Sequence, residues 1–210
     1  MSEPVEALQD GRARLPKGQF LTERFPVLTY GPTPAVTTDD WKMRVWGSCL
    51  SKEITCDWKD FTALGSHETT RDFHCVTTWS RYDNTWGGVS VGAVWDWISG
   101  QVGAGGGDLS KVAAVMLHCY GDYTTNLLID DFLAADNLFA THHDGVPLSA
   151  PHGGPMRFVC HHLYAWKSAK WINGIELLTE VERGFWEVNG YHIRGNPWSE
   201  ERYAYQEAAG

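Results

Sequence analysis

Apolar and polar positions along this chain follow two spacings, and neither dominates. Val91, Val94, Trp95 and Ile98 keep the three-to-four-residue step of a helix face, and Ser90 stands where an N-cap belongs, so a helix is predicted over residues 91–98. A second helix is predicted over residues 57–64 and a short one over 130–135. β-Branched and aromatic runs predict strands at residues 43–46, 111–118, 155–160 and 171–181, and another at 138–141 that ends in the Asp144-Gly145 turn. Residues 72–80, DFHCVTTWS, read as a strand running into a loop. The glycine-rich 100–107 reads as a flexible connection. It has neither the Lys-Ser/Thr ending of a phosphate-binding loop nor a strand before it.

Residues 15–34 carry too many prolines for regular helix and too many Phe, Leu, Val and Tyr side chains for a free linker. They are expected to form an extended arm packed on the domain. Residues 1–14 are polar and are expected to be a loosely held tail, leaving 15–210 as a single domain. The irregular order of elements suits an α+β fold, with mixed sheets and short helices, better than a doubly wound parallel sheet.

Charge narrows the partners. The net charge of −9 disfavours nucleic acid and anionic membranes, because both demand a basic surface. There is no apolar run of membrane-spanning length, no signal segment and no twin-arginine start, so a cytoplasmic location is expected. Five cysteines without a CxxC pair suggest neither a disulfide framework nor a zinc ribbon.

Two segments carry candidate chemistry. Cys75 lies in a polar setting, with His74 before it and Thr77, Thr78 and Ser80 after it, where a thiolate or the oxygen ligands of a metal could be held. A lone cysteine is more often an inert core residue. The second segment, residues 152–171, gathers Arg157, Lys167 and Lys170 around Ser168 among Trp, Tyr and Phe. Such a cluster is usually a solvated face, but the aromatic interleaving and the Gly153-Gly154 pair suggest a pocket that binds an anion. The adjacent pairs His142-His143 and His161-His162 would point to opposite faces of a strand, and HExxH is absent, so nothing assembles a zinc hydrolase. A thiol hydrolase built on Cys75 has no identifiable histidine partner. A non-catalytic module binding a pterin or another small ligand remains a rival.

DFHCVTTWS, GDYTT, DGVPLSAPHGGPMRFVCHHLYAWKSAKW and GFWEVNGYHIRGNPW together resemble the sulfite-oxidase-type molybdopterin-binding domain, in particular the small bacterial oxidoreductases made of that domain alone. The resemblance runs from about residue 15 to 203. It implies a molybdenum–molybdopterin cofactor with Cys75 as the metal's protein ligand and His74 in the surrounding shell. It further implies pterin contacts from His152 and Arg157, a closing loop at Ser168, Ala169 and Lys170, and approximate contacts from Tyr123 and Thr124. On the arm, Glu23 and Arg24 are the candidates. Trp79, Trp166 and Trp171 are expected as walls. The family's substrate tyrosine has no counterpart, Thr141 standing near its place, so sulfite is not implied as the substrate. The implied activity is two-electron oxygen-atom transfer on a small, sulfur-containing or related oxo substrate. Electrons would pass to or from a separate partner protein, since the chain has no iron–sulfur, haem or dinucleotide fingerprint.

Overall fold

The computed structural model describes residue 8 and residues 10–209. Most of the expected tail therefore lies outside the described residues. The part that is described is tied down: Arg14 makes paired bonds to the Asp72 carboxylate at 2.7 and 2.8 Å, and the Arg12 guanidinium lies 4.3 Å over the Trp198 ring.

Two sheets carry the fold. The first contains β1 (Phe20–Leu21), β4 (His67–His74), β5 (Trp79–Ser90), β8 (Leu138–His143), β9 (Val146–Pro147) and β10 (Arg157–Val159). Its spine runs β1-β5-β8-β10, with β4 on β5 and β9 on β8. The second runs β3-β2-β11-β6-β7, built from β2 (Lys42–Gly47), β3 (Ile54–Asp57), β6 (Ala114–Cys119), β7 (Thr124–Leu128) and β11 (Ile172–Leu178). Only the β1–β5 and β11–β2 pairs are parallel among these strands, as an α+β domain of mixed sheets requires. The helices are α1 (Trp58–Thr62), α2 (Val91–Gly105), α3 (Ile129–Phe132) and α4 (Phe185–Val188).

One apolar cluster joins the two sheets. Val45, Leu117 and Ile175 of the second meet Val89, Phe139 and Phe158 of the first, with Phe61 of α1 and Val94 and Ile98 of α2 between them. The alternation along β2, buried at Met43 and Val45 and exposed at Lys42 and Arg44, is what places that strand with one face inward. A smaller cluster of Phe73, Cys75, Trp79, Trp86 and Val159 sits under the loop between β4 and β5.

The structure departs from expectation in several places. The strand at 72–80 is two strands with a tight turn at Cys75, and β5 continues to Ser90. Helix α2 begins at its Ser90 cap as expected, with the hydroxyl accepting from Ala93 N–H at 3.2 Å, but runs on through the glycines to Gly105. Val102 packs against the core and its carbonyl takes the Gly106 N–H, so tertiary contact overrides poor helix propensity there. Strands β3 and β7 and helix α4 have no counterpart among the expected elements. The Asp144-Gly145 turn is as predicted, with φ of 49° and 78° closing the β8–β9 hairpin.

Candidate active site

Between β4 and β5 the chain turns in four residues. The Thr78 N–H donates to the Cys75 carbonyl at 3.0 Å, the Cys75 N–H to the Trp79 carbonyl at 2.9 Å, and Thr78 sits at a φ of 78°. This turn leaves Cys75 buried, 6% exposed, in the wall of a cavity of about 340 Å³. Burial pushes its thiol up, while the Thr77 hydroxyl 3.1 Å from Sγ and the Arg202 cation pull the other way. No imidazole among the described residues is hydrogen-bonded to this sulfur, so the thiol-hydrolase arrangement does not form.

His74 points away from the cavity, as alternation along a strand dictates. Its Nδ1 lies 2.8 Å from Ser80 Oγ and its ring stands edge-on to Trp198 at 5.0 Å. Burial lowers its pKa to about 4, so it is neutral at physiological pH. It supports the turn from behind and cannot touch a ligand in the cavity.

The opposite wall is cationic. The loop before β10 passes so close to its neighbours that side chains are excluded. A Cβ on Gly154 would meet the Leu148 carbonyl oxygen at 2.2 Å, and Gly153, at a φ of 109°, would meet Arg157 Cβ at 2.9 Å. This packing aims Arg157 inward. Its Nη1 donates to the His152 carbonyl at 3.1 Å and Nη2 to the Ser168 carbonyl at 2.8 Å, while Nε is buried with no partner. The guanidinium lies 5.2 Å from the Trp86 ring and 5.4 Å from Phe73. Burial lowers its pKa to about 9, which leaves it charged at neutral pH.

A β-bridge sets Lys170 opposite Arg157. Lys170 Nζ donates to the carbonyls of Leu28 at 2.9 Å and Pro151 at 3.0 Å, 4.5 Å over the Trp171 ring. Burial first, and the Arg157 charge second, bring its pKa to about 7. His152 stacks on Phe25 with centroids 4.7 Å apart, and burial together with both cations lowers its pKa too. Among the described residues neither Arg157 nor Lys170 has a carboxylate partner.

The remaining sequence candidates divide. Tyr123, Ser168 and Ala169 line the cavity, as do Trp79, Trp166 and Trp171. Ser168 lines the cavity with its polar groups engaged: the hydroxyl takes the Cys160 N–H at 2.9 Å, the N–H donates to the Ala165 carbonyl at 3.0 Å and the carbonyl takes Arg157 Nη2. Thr124 does not line it; it faces a separate hollow beside Arg44, Trp46 and His118. Glu23 and Arg24 are exposed and off the cavity wall, which the arm supplies two residues later, from Phe25 to Tyr30. Lys167 is fully buried and bonded to Glu187, Asn126 and Ile193, so it is no ligand for an anion. Trp186 and Tyr191 complete the far wall. Sequence reasoning missed both, although they lie in the GFWEVNGYH segment that carried part of the resemblance.

Residues 30–186 match the family model described as the oxidoreductase molybdopterin binding domain. The chain belongs to the molybdopterin-binding oxidoreductases. A protein of Bacillus subtilis (strain 168), the uncharacterized oxidoreductase YuiH, is 40% identical over 197 residues, 93% of this chain and 95% of its own. Among solved structures, the sulfane dehydrogenase SoxCD from Paracoccus pantotrophus superposes with a TM-score of 0.58 at 13% identity. That match covers 70% of this chain but 40% of the other, and it speaks for the fold alone. No helix among the described residues is long and apolar enough to cross a membrane.

The cavity of this molybdopterin-binding oxidoreductase fits the group its family is named for. Two cations without carboxylates and an unpartnered Arg157 Nε are suited to an anionic pterin, and a thiol stands in the wall for a soft metal. No three His, Cys, Asp or Glu side chains among the described residues converge as a metal site. A metal held here therefore needs donors from a cofactor as well as from Cys75.

Proposed function

We propose that the chain binds a molybdenum–molybdopterin unit in this cavity and carries out two-electron oxygen-atom transfer on a small oxo substrate, sulfur-containing or related. The observation that carries the reading is the placing of Cys75 in one cavity with the uncompensated cations Arg157 and Lys170. Cys75 would ligate the metal, and a metal-bound thiol needs no base to ionise it. His152, Arg157 and Lys170 would hold the anionic end of the pterin, with the backbone of Ser168 and Ala169 beside them. When bound, the cofactor supplies the oxygen-atom and electron transfer.

The protein's part is placement and enclosure. Phe25, stacked on His152, and Trp171, beneath Lys170, give the cationic end apolar walls, which strengthen a charged hydrogen bond made there. Tyr123, Trp166, Trp186 and Tyr191 leave the far end aromatic, a surface suited to a small substrate with little charge. With no second redox centre encoded in the sequence, electrons would be exchanged with a separate protein. The sulfur-containing class rests on the motif resemblance to sulfite oxidases.

The test is elemental and pterin analysis of protein from a molybdate-supplied host, with the Cys75→Ser variant alongside. Near-stoichiometric molybdenum and pterin are expected. Cys75→Ser should abolish turnover while lowering Tm by no more than about 4 °C. A variant with full turnover would remove Cys75 from the metal.

A further inference from the structure

The Cys75 turn is held from behind by two side chains to which no role has been given. Gln19, on the arm just before β1, is brought there by the parallel pairing of Phe20 and Leu21 with Trp79 and Ser80. Its Nε2, with two protons, lies 3.0 Å from the carbonyls of both Cys75 and Trp79 and 3.2 Å from Ser80 Oγ. Its Oε1 accepts from Arg202 Nη2 at 2.9 Å, and Arg202 Nη1 donates to the Val76 carbonyl at 2.6 Å. The Arg202 guanidinium rests 5.0 Å over the Tyr164 ring. Two side chains from opposite ends of the chain thus tie the carbonyls of Cys75, Val76 and Trp79.

Ser80 Oγ lies 2.8 Å from His74 Nδ1 in turn, so the polar contacts continue behind the turn from Arg202 through Gln19 and Ser80 to His74. Such a brace answers a need. Thr78 is β-branched and sits at a φ of 78°, a conformation that persists only where its surroundings over-determine it.

We propose that Gln19 and Arg202 are positioning residues which fix the place and direction of the Cys75 sulfur toward the group bound in the cavity. The proposal rests on the reading of Cys75 as a cofactor ligand. It acts through the turn, since neither side chain lines the cavity.

Gln19→Met and Arg202→Met test it, with Gln19→Glu as a change of the same size that keeps the bond from Arg202 and sets an accepting carboxylate oxygen against the two carbonyls. In cofactor-free full-length protein, the rate at which iodoacetamide alkylates Cys75, followed by mass spectrometry, should rise about tenfold in each variant as the turn opens more often. In loaded enzyme, kcat should fall about 10- to 100-fold, as for other groups that orient a metal ligand, with KM and molybdenum content unchanged. Arg202→Lys should recover part of kcat. A wild-type alkylation rate in folded Gln19→Glu overturns the proposal, as does a loss confined to KM. Wild-type protein that never acquires molybdenum or pterin defeats the cofactor reading instead, and the alkylation comparison still judges the brace.

Discussion

Lys167 and Lys170 stand three residues apart and both reach into the protein, yet the structure treats them in opposite ways. Lys167 Nζ meets Glu187 Oε1 at 2.5 Å, the Asn126 carbonyl and Oδ1 at 2.8 Å each, and the Ile193 carbonyl at 2.7 Å. Its charge is cancelled and its donors are used. Lys170 and its neighbour Arg157 are given backbone carbonyls and aromatic faces, and no carboxylate among the described residues. A chain with 26 acidic and 17 basic residues has anions to spare, so two cavity-lining cations without a carboxylate are a feature of the site and not a shortage of partners. On the proposed function, the difference separates a charge that holds the fold from charges that would receive a ligand.

The contrast is broken most severely at Glu187. Its Oε1 also takes the Trp166 N–H at 2.9 Å and the Thr125 hydroxyl at 3.1 Å. Glu187→Gln leaves Lys167 buried and uncompensated, and urea denaturation should show a loss of about 3–5 kcal/mol. A loss under about 1 kcal/mol would mean that the pair is not what neutralises Lys167. Arg157→Met should behave in the reverse manner. Removing an unpaired buried charge should leave the cofactor-free protein within about 1 kcal/mol of wild type, or more stable. Pterin and molybdenum retained through purification should meanwhile fall by about 10- to 100-fold, the equivalent of one charged hydrogen-bonding group. Undiminished cofactor would move the anion away from Arg157.

This contrast was only half legible in the sequence. The cluster of Arg157, Lys167 and Lys170 was visible, but the partner that removes Lys167 from it lies twenty residues on, in α4, and no local pattern announces a pairing at that range. Cys75 was legible because its neighbours recur as a motif, whereas its turn was not. Strand β5 carries Arg81, Asp83 and a Gly87-Gly88 pair, a weak strand on propensity, and it forms because β4, β8 and β1 all bond to it. The arm is extended, as expected, while Glu23 and Arg24, the contacts expected on it, lie off the cavity wall. The parallel register of β1 on β5 instead delivers Gln19 to the Cys75 turn and Phe25 to the cavity. Register is set by long-range hydrogen bonds, and nothing within the arm specifies it.

The smallest effect is expected at Lys170, and it can be read as a pH dependence. With a folded-state pKa near 7 against an ordinary value of 10.5, the unfolded chain binds more protons than the native one between those limits. The cofactor-free protein therefore gains stability from Lys170 as pH rises from 7 toward 10.5, and loses it as pH falls. An anion in the cavity favours the charged amine and reverses the sign: binding takes up a proton, so affinity should weaken above pH 7. Calorimetry of a phosphorylated pterin on cofactor-free protein should show Kd rising by about tenfold between pH 7 and 8.5, where the phosphate's own second ionisation is complete. Lys170→Met should bind more weakly at pH 7 and lose that slope. Arg157, with its pKa lowered only to about 9, stays mostly charged up to pH 8.5 and adds a nearly constant attraction, and His152, with its pKa lowered, titrates below the window. A slope that persists in Lys170→Met would therefore belong to neither of them, and it would show that Lys170 does not face the bound anion.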